Sequence, residues 1–318
     1  MKTLTLSLAA ALLATTAGSV NAASIGLSTN YSVDFIASFG DVREAGGVTY
    51  DWDTNTLMVI GDETEWSALS PTDGSVIRGG PAYLGGLKYK DTEGLAYLGN
   101  NVWVLAQERV VELNKLAADG YAWPFEKDAP TFQIMGPTNI GNEGLEGVSW
   151  DRHTGDFYAI KETNDQKIWH LTGVDFAGNG TVEELFDPAL LGLRSLSDIS
   201  VLSNSDAFFG TAFGDNLLIL SATSEMLLEV TKAGEILSRF DLSDIPVETI
   251  EGVTVDNLGN IYLAGENSLV GLGSGLIKLK RNEVAAAVPE PATWAMMLGG
   301  LGLVGGAMRR RKVSVAFA

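Results

Sequence analysis

Three short stretches of this 318-residue chain begin on a carboxylate beside a glycine and end on a second carboxylate. They are "EGLAYLGNNVWVLAQE" (Glu93 to Glu108), "EGVSWDRHTGDFYAIKE" (Glu146 to Glu162) and "EGVTVDNLGNIYLAGE" (Glu251 to Glu266). Between the acids run two alternating apolar segments separated by Asn, Asp and Gly, the signature of a β-hairpin. An antiparallel hairpin returns its second strand to the level where the first began, so each pair of acids is expected on one face of the fold. Asp62 and Glu63 at the end of "DWDTNTLMVIGDE", and Asp198 in "LSDISVL", stand at corresponding positions and join the set. Carboxylates gathered a few ångströms apart cannot all stay ionised; one takes up a proton or a cation sits between them. Calcium suits such a rim, because it accepts six to eight oxygens in loose geometry, whereas magnesium wants a strict octahedron. The alternative is structural: the acids accept hydrogen bonds from neighbouring backbone or pair with Arg109 and Lys161, the bases next to them in sequence.

The elements that carry these acids recur. Aligned on the residue before the first strand's glycine or its equivalent, Gly46, Glu93, Glu146, Asp198 and Glu251 are spaced by 47, 53, 52 and 53 residues. Four short strands in about fifty residues is the size of a β-propeller blade. The sequence therefore predicts an all-β propeller of four-stranded antiparallel blades. Five blades are expected, or six if Ala117 to Asn139 contains one more; a β-sandwich would lack the period. The extra N-terminal strand "YSVDFIASF" (Tyr31 to Phe39) is expected to pair with the last strand, around "GLIKLKR", and close the ring.

The two ends have different chemistry. Residues 1–22 have a basic start, an apolar run from Leu4 to Ala17 and small residues before a cleavage point, which is a secretory signal peptide. Near the C-terminus, Pro289-Glu290-Pro291 leads into an apolar run, Ala292 to Met308, and then Arg309, Arg310, Arg311 and Lys312. That run is at the short end of what spans a bilayer, with the basic cluster as a cytoplasmic stop. The tripartite pattern resembles a PEP-CTERM sorting signal. The resemblance implies recognition by an exosortase-type membrane enzyme at Pro-Glu-Pro in bacteria that make exopolysaccharide. The domain reading is thus 1–22 signal peptide, 23–288 propeller, 289–312 sorting signal with transmembrane segment, and 313–318 tail.

Setting aside Lys2, the four basic residues 309–312 and Glu290 leaves 16 Lys+Arg against 39 Asp+Glu in the core, a net charge of −23. Such a surface repels nucleic acid and anionic lipid and favours cations. With no cysteine, disulfides and a thiol nucleophile are excluded, and with only His153 and His170 a histidine zinc cage is implausible. His153 is expected on a solvated turn and His170 packed on a strand without an acid partner. Neither of the turns "DWDTN" and "DNLGN" continues with the glycine and the distant glutamate that an EF-hand loop needs, and both read as hairpin turns on the opposite face. Trp66 and Trp123 sit in loop-like surroundings where a sugar could stack; the other core tryptophans read as blade packing.

The "EG" strand entries, the two hairpins "DWDTNTLMVIGDE" and "DRHTGDFYAIKE", and "LLILSATSEMLLEVTKAGEILSRFDL" together resemble the SdiA-regulated, YjiK-like family of extracytoplasmic β-propellers, over roughly Glu44 to Leu279. The resemblance implies a calcium-associated propeller. The chain departs from the family pattern after "LLILS", where Ala222 and Thr223 replace an acidic pair. Three functions follow as expectations. The first is a non-catalytic calcium-binding propeller at the cell envelope or in the exopolysaccharide matrix, holding a ligand or an envelope partner. The second is a metal-dependent phosphoesterase or lactonase-type hydrolase, which would want several bases on the rim. The third is an exopolysaccharide-binding module, which would need exposed aromatics. No nucleophile-base-orienter arrangement is evident, so enzyme activity is left open and no catalytic residue is assigned.

Overall fold

The computed structural model describes residues 22–40, 42–62, 65–80, 91–117, 129–136 and 139–282. Strand β1 (Tyr31–Phe39) precedes five repeats. Blade one is β2 to β5 (Ala45–Asp51, Thr56–Gly61, Trp66–Leu69, Val76–Gly80). Blade two is β6 to β9 (Thr92–Gly99, Val102–Gln107, Glu112–Ala117, Thr131–Gln133). Blade three is β10 to β13 (Leu145–Trp150, Phe157–Lys161, Lys167–Thr172, Thr181–Glu184), and blade four β14 to β17 (Asp198–Val201, Leu217–Ser221, Met226–Val230, Ile236–Asp241). Blade five is β18 to β20 (Val247–Val255, Ile261–Ser268, Ser274–Arg281) with β1 as its outer strand. Each sheet has four antiparallel strands, so the fold is a five-bladed β-propeller. The stretch from Ala117 to Asn139 contributes β9 to blade two; residues 118–128 within it lie outside the described set.

Burial falls from the axis outward. Strands β2, β3 and β15 are buried at every position, whereas β13 and β17 are largely open to solvent. Alternate side chains of a strand leave opposite faces of the sheet, and here each face meets a different neighbouring blade. In β15, Leu217 and Ile219 pack with Tyr158 and Ile160 of blade three, while Leu218 and Leu220 pack with Val253 and Ile277 of blade five. Five such apolar clusters, one at each blade-to-blade junction, make up the core. This two-sided burial explains why the second strands are continuous apolar runs.

Ring closure takes the form expected from the sequence. β1 runs antiparallel to β20 from Tyr31↔Arg281 to Phe39↔Ser274, with one bulge between Val33 and Phe35. The segment before it is anchored on blade four through Glu229, a fully buried carboxylate. Glu229 accepts from the Ile25 backbone N–H (2.8 Å), the Ser24 and Ser238 hydroxyls and the Asn216 amide. The first residues of the propeller thus fasten blade four while the next strand completes blade five.

At the axis the inner strands approach closely enough to exclude a side chain. A Cβ on Gly94 would lie 2.7 Å from the Glu146 carbonyl oxygen and 2.9 Å from the Val148 nitrogen, and one on Gly252 would lie 3.0 Å from the Gly46 carbonyl oxygen. These obstacles are backbone and cannot rotate away. Replacing Gly94 by Ala should therefore destabilise the protein by about 1–3 kcal/mol, as overpacking typically does. Gly136→Ala, whose added methyl meets nothing within 4 Å, should leave the thermal midpoint unchanged.

Candidate functional site

Four of the five inner strands break register with their neighbour at the same place. The residues left out of the pairing are Gly46, Glu93, Glu146 and Glu251, each between two paired positions. Such a bulge re-aims a side chain and is common next to binding sites. In blade four the pairing runs through Asp198 and Ile199 without a break. Below the bulges the channel narrows to a ring of Thr49, Ala96, Ser149, Ser200 and Thr254. Two of its hydroxyls bridge adjacent blades, with the Tyr50 N–H donating to Thr254 and the Val201 N–H to Ser149, each at 3.2 Å. The acids therefore sit above a ring of small polar residues whose hydroxyls tie neighbouring blades together.

The acids meet in pairs, and only one pair belongs to a single hairpin. Glu251 hydrogen-bonds Glu266 across blade five; burial and the Glu266 charge push the Glu251 carboxyl up to about 8. Glu93 is partnered by Asp62 of the preceding blade, not by Glu108. It leans over the inner strand of blade one, where a Cβ on Gly46 would come within 2.5 Å of its Oε2. Burial, then the charges of Asp62 and Glu251, raise Glu93 far above the usual carboxylate range, so it keeps the proton and donates to Asp62. Asp62 is pushed up to about 7 by its own burial and by Glu44, Glu266 and Asp91, against the lowering effect of that hydrogen bond. Glu146 is buried, and burial plus the charges of Glu93, Glu108, Glu162 and Glu251 raise it well above its ordinary value.

The remaining acids stand apart from these. Glu108 is raised by burial but accepts from the Gly144 N–H at 3.4 Å, and Glu162, also raised by burial, is bonded by the Thr163 hydroxyl. The backbone at these positions fastens neighbouring blades. The carbonyls of Asp62, Glu108 and Glu162 accept from Thr92, Leu145 and Leu196 of the next repeat. Asp198 is fully buried and committed to backbone, one oxygen accepting from Ile199 N–H (2.8 Å) and the other from Val253 N–H (2.7 Å). It locks blade four to blade five and does not face the rim. Glu63 lies outside the described residues. The bases next to the rim are engaged elsewhere: Arg109 is ion-paired with Asp91, and Lys161 donates to the Thr163 and Asn164 carbonyls at 2.5 and 2.8 Å. Among the described residues no three carboxylates or histidines are gathered as a ready-made metal cage. Among the described residues the rim is a set of proton-sharing pairs near Glu146, with Arg109 acting on Glu108 and Lys161 on Glu162 through their charges.

The opposite face is built from hairpin turns held by aspartates. Asp51, Asp151 and Asp256 accept from the backbone N–H groups of the turns that follow them, as Asx-turns do. These are hairpin turns, as expected from the sequence. His153 is exposed and stacked on Phe209. His170 departs from expectation: it stacks on Tyr158 and meets Asp156 at 3.0 Å, a contact made across paired strands and invisible to sequence spacing. Trp66 is buried in β4, not in a loop, because it packs the junction of blades one and two. Trp123, the signal peptide and the sorting residues Pro289, Glu290, Pro291, Arg309, Arg310 and Arg311 lie outside the described residues. Among those described, no helix is long and apolar enough to cross a membrane.

A family model described as SdiA-regulated matches residues 28–270, and one described as the PEP-CTERM protein-sorting motif matches residues 287–312. Similar solved structures include a glutaminyl cyclase from Myxococcus xanthus, with 11% identity over 79% of this chain and 96% of that one and a TM-score of 0.50. A luciferin-regenerating enzyme aligns with 11% identity over 80% and 96% of the two chains and a TM-score of 0.47. At this level of identity the glutaminyl cyclase likeness shows the propeller fold alone.

The raised carboxyls have a sign for stability. A carboxyl whose native value exceeds its unfolded value stabilises the fold fully below the unfolded value, and that contribution is lost as pH rises through the native one. With Asp62 about 7 and Glu251 about 8, the metal-free protein should lose stability between about pH 5 and pH 8. Thermal midpoints measured across this range in chelator should fall by several degrees; a flat profile would contradict the shared protons.

Proposed function

The chain belongs to the SdiA-regulated family, and from that premise we propose that it is a calcium-binding propeller that works by holding a ligand or partner and not by turning over a substrate. It carries a PEP-CTERM motif, the recognition signal of an exosortase, and is therefore an exported protein sorted via the membrane. We place its final site at the cell envelope or in the exopolysaccharide matrix.

The observation that supports the calcium reading is the mutual stress of the rim acids among the described residues. Asp62, Glu93, Glu146, Glu251 and Glu266 interact with one another while Arg109 and Lys161 are bonded elsewhere. A divalent cation drawn in among these acids would compete with the protons they hold, so binding should release protons and strengthen with pH. Calcium fits the donor set, since it takes carboxylates and carbonyls in flexible geometry. Because the acids rest as pairs, binding requires them to rotate toward one another. The same arrangement favours binding over phosphoester hydrolysis, because the bases that would hold a phosphate are committed to Asp91 and to backbone carbonyls.

Thermal unfolding after chelation, repeated with calcium, with magnesium and with neither, tests this. Calcium at a hundred times its dissociation constant stabilises the native state by about 2.7 kcal/mol, so the midpoint should rise by several degrees with calcium and less with magnesium. Substituting Glu93, Glu146 and Glu251 together by Gln should abolish the calcium response. At pH 8 the same variant should melt higher than the wild type in chelator, because the like-charge stress is gone. Identical midpoints with and without calcium would refute the rim as a cation site.

A further inference from the structure

The bulge that carries Glu93, Glu146 and Glu251 falls on Gly46 in blade one, so that blade sends no side chain to the rim from this position. Two residues before the bulge stand Glu44, Asp91 and Thr249 in blades one, two and five, held left-handed at φ 50°, 54° and 50°. Gly144 and Leu196 take the same place in blades three and four, and neither is left-handed. The conformation is unfavourable for Glu and Thr and persists only where the surrounding structure fixes it.

The second strand of each blade fixes where these residues sit. A Cβ on Gly265 would lie 3.0 Å from the Thr249 carbonyl oxygen, and one on Gly61 would lie 3.2 Å from that of Glu44. Each of these glycines directly precedes a rim acid, Glu266 in blade five and Asp62 in blade one. In blade five the outcome is a contact, the Thr249 hydroxyl bonding the Glu266 carboxylate, and in blade two the Asp91 carboxylate takes the Arg109 guanidinium. Blade one repeats the backbone arrangement with a carboxylate that is exposed and has no hydrogen bond or ion pair among the described residues. The Glu44 charge is the strongest one acting on both Asp62 and Glu266, one member of each proton-sharing pair, so Glu44 lies between the two pairs.

Within the same rim Glu146 is 7% exposed, and its carboxyl hydrogen-bonds nothing among the described residues although four other acids act on it. A polar group buried at such a cost calls for a partner that the neighbouring side chains do not supply. We propose that Glu44 is a cation ligand of the rim, supplying for blade one the carboxylate that Gly46 lacks and bridging the Asp62–Glu93 and Glu251–Glu266 pairs. The inference rests on the reading of the rim as a calcium site and adds to it a ligand that no hairpin pairing of acids identifies. Calcium gains from such a residue, because its affinity follows the number of charged ligands around it and its flexible geometry admits one more oxygen.

Calorimetric titration of the full exported protein, stripped of metal, with calcium is the test. Glu44→Gln should weaken calcium binding about tenfold, the effect of removing one charged ligand. Glu44→Gly, which takes a left-handed φ without strain, should weaken it as much while leaving the thermal midpoint in chelator no lower than that of the wild type. Glu183→Gln, on the exposed outer strand of blade three, removes the same charge away from the rim and should leave the affinity unchanged. Wild-type calcium affinity in Glu44→Gln, or an equal loss in Glu183→Gln, would overturn the role of Glu44 and leave the rim reading standing. Absence of calcium binding by the wild type would overturn both.

Discussion

Strands cannot approach a common axis as closely as Gly94 approaches the Glu146 carbonyl if a side chain stands between them. That closeness is the constraint from which the rest follows. Glycine at 47, 94, 147 and 252 admits the neighbouring backbone, and the residue just before it is squeezed out of the pairing as a bulge. The bulged side chain has nowhere to go but the channel mouth. Where blade four has Ile199 in place of the glycine, the bulge disappears, and Asp198 turns into the wall to hold two backbone N–H groups. The acid rim thus follows from how a narrow ring is closed: it presents a glutamate at three blades and becomes a structural clamp at a fourth.

The cost falls on electrostatics. Glu146 is buried among four carboxylates, and the Glu93 and Glu251 carboxyls each retain a proton that a solvated acid would release. Apolar packing at five junctions supplies the stability that tolerates this stress. Buried proton-sharing pairs of this kind are stable enough to fold around, because the shared proton removes the repulsion between the two carboxylates.

Much of this architecture is legible in the sequence, because a fifty-residue period and alternating apolar runs are properties of the backbone repeat. The pairing of Tyr31–Phe39 with the last strand follows from the same logic: an edge needs a partner. The partnerships within the site are not legible in the same way. Hairpin geometry assigns Glu93 to Glu108, but the bulge tilts Glu93 over Gly46 toward Asp62 of the preceding blade. The burial of Trp66 and the contact of His170 with Asp156 likewise depend on neighbours in other strands. Local spacing predicts which residues reach a face; only the packing between repeats determines whom they meet there.

The closing strand also sets the order in which the molecule can be completed. Tyr31 pairs with Arg281, 250 residues later, so β1 is synthesised first and waits for the last strand of the propeller. Until β20 arrives, blade five lacks its outer pair and the ring stays open, and this pairing is the long-range one among sheets otherwise built from successive strands. The Glu229 anchor, by fastening Ser24 and Ile25 to blade four, holds the start of β1 beside the gap that it fills.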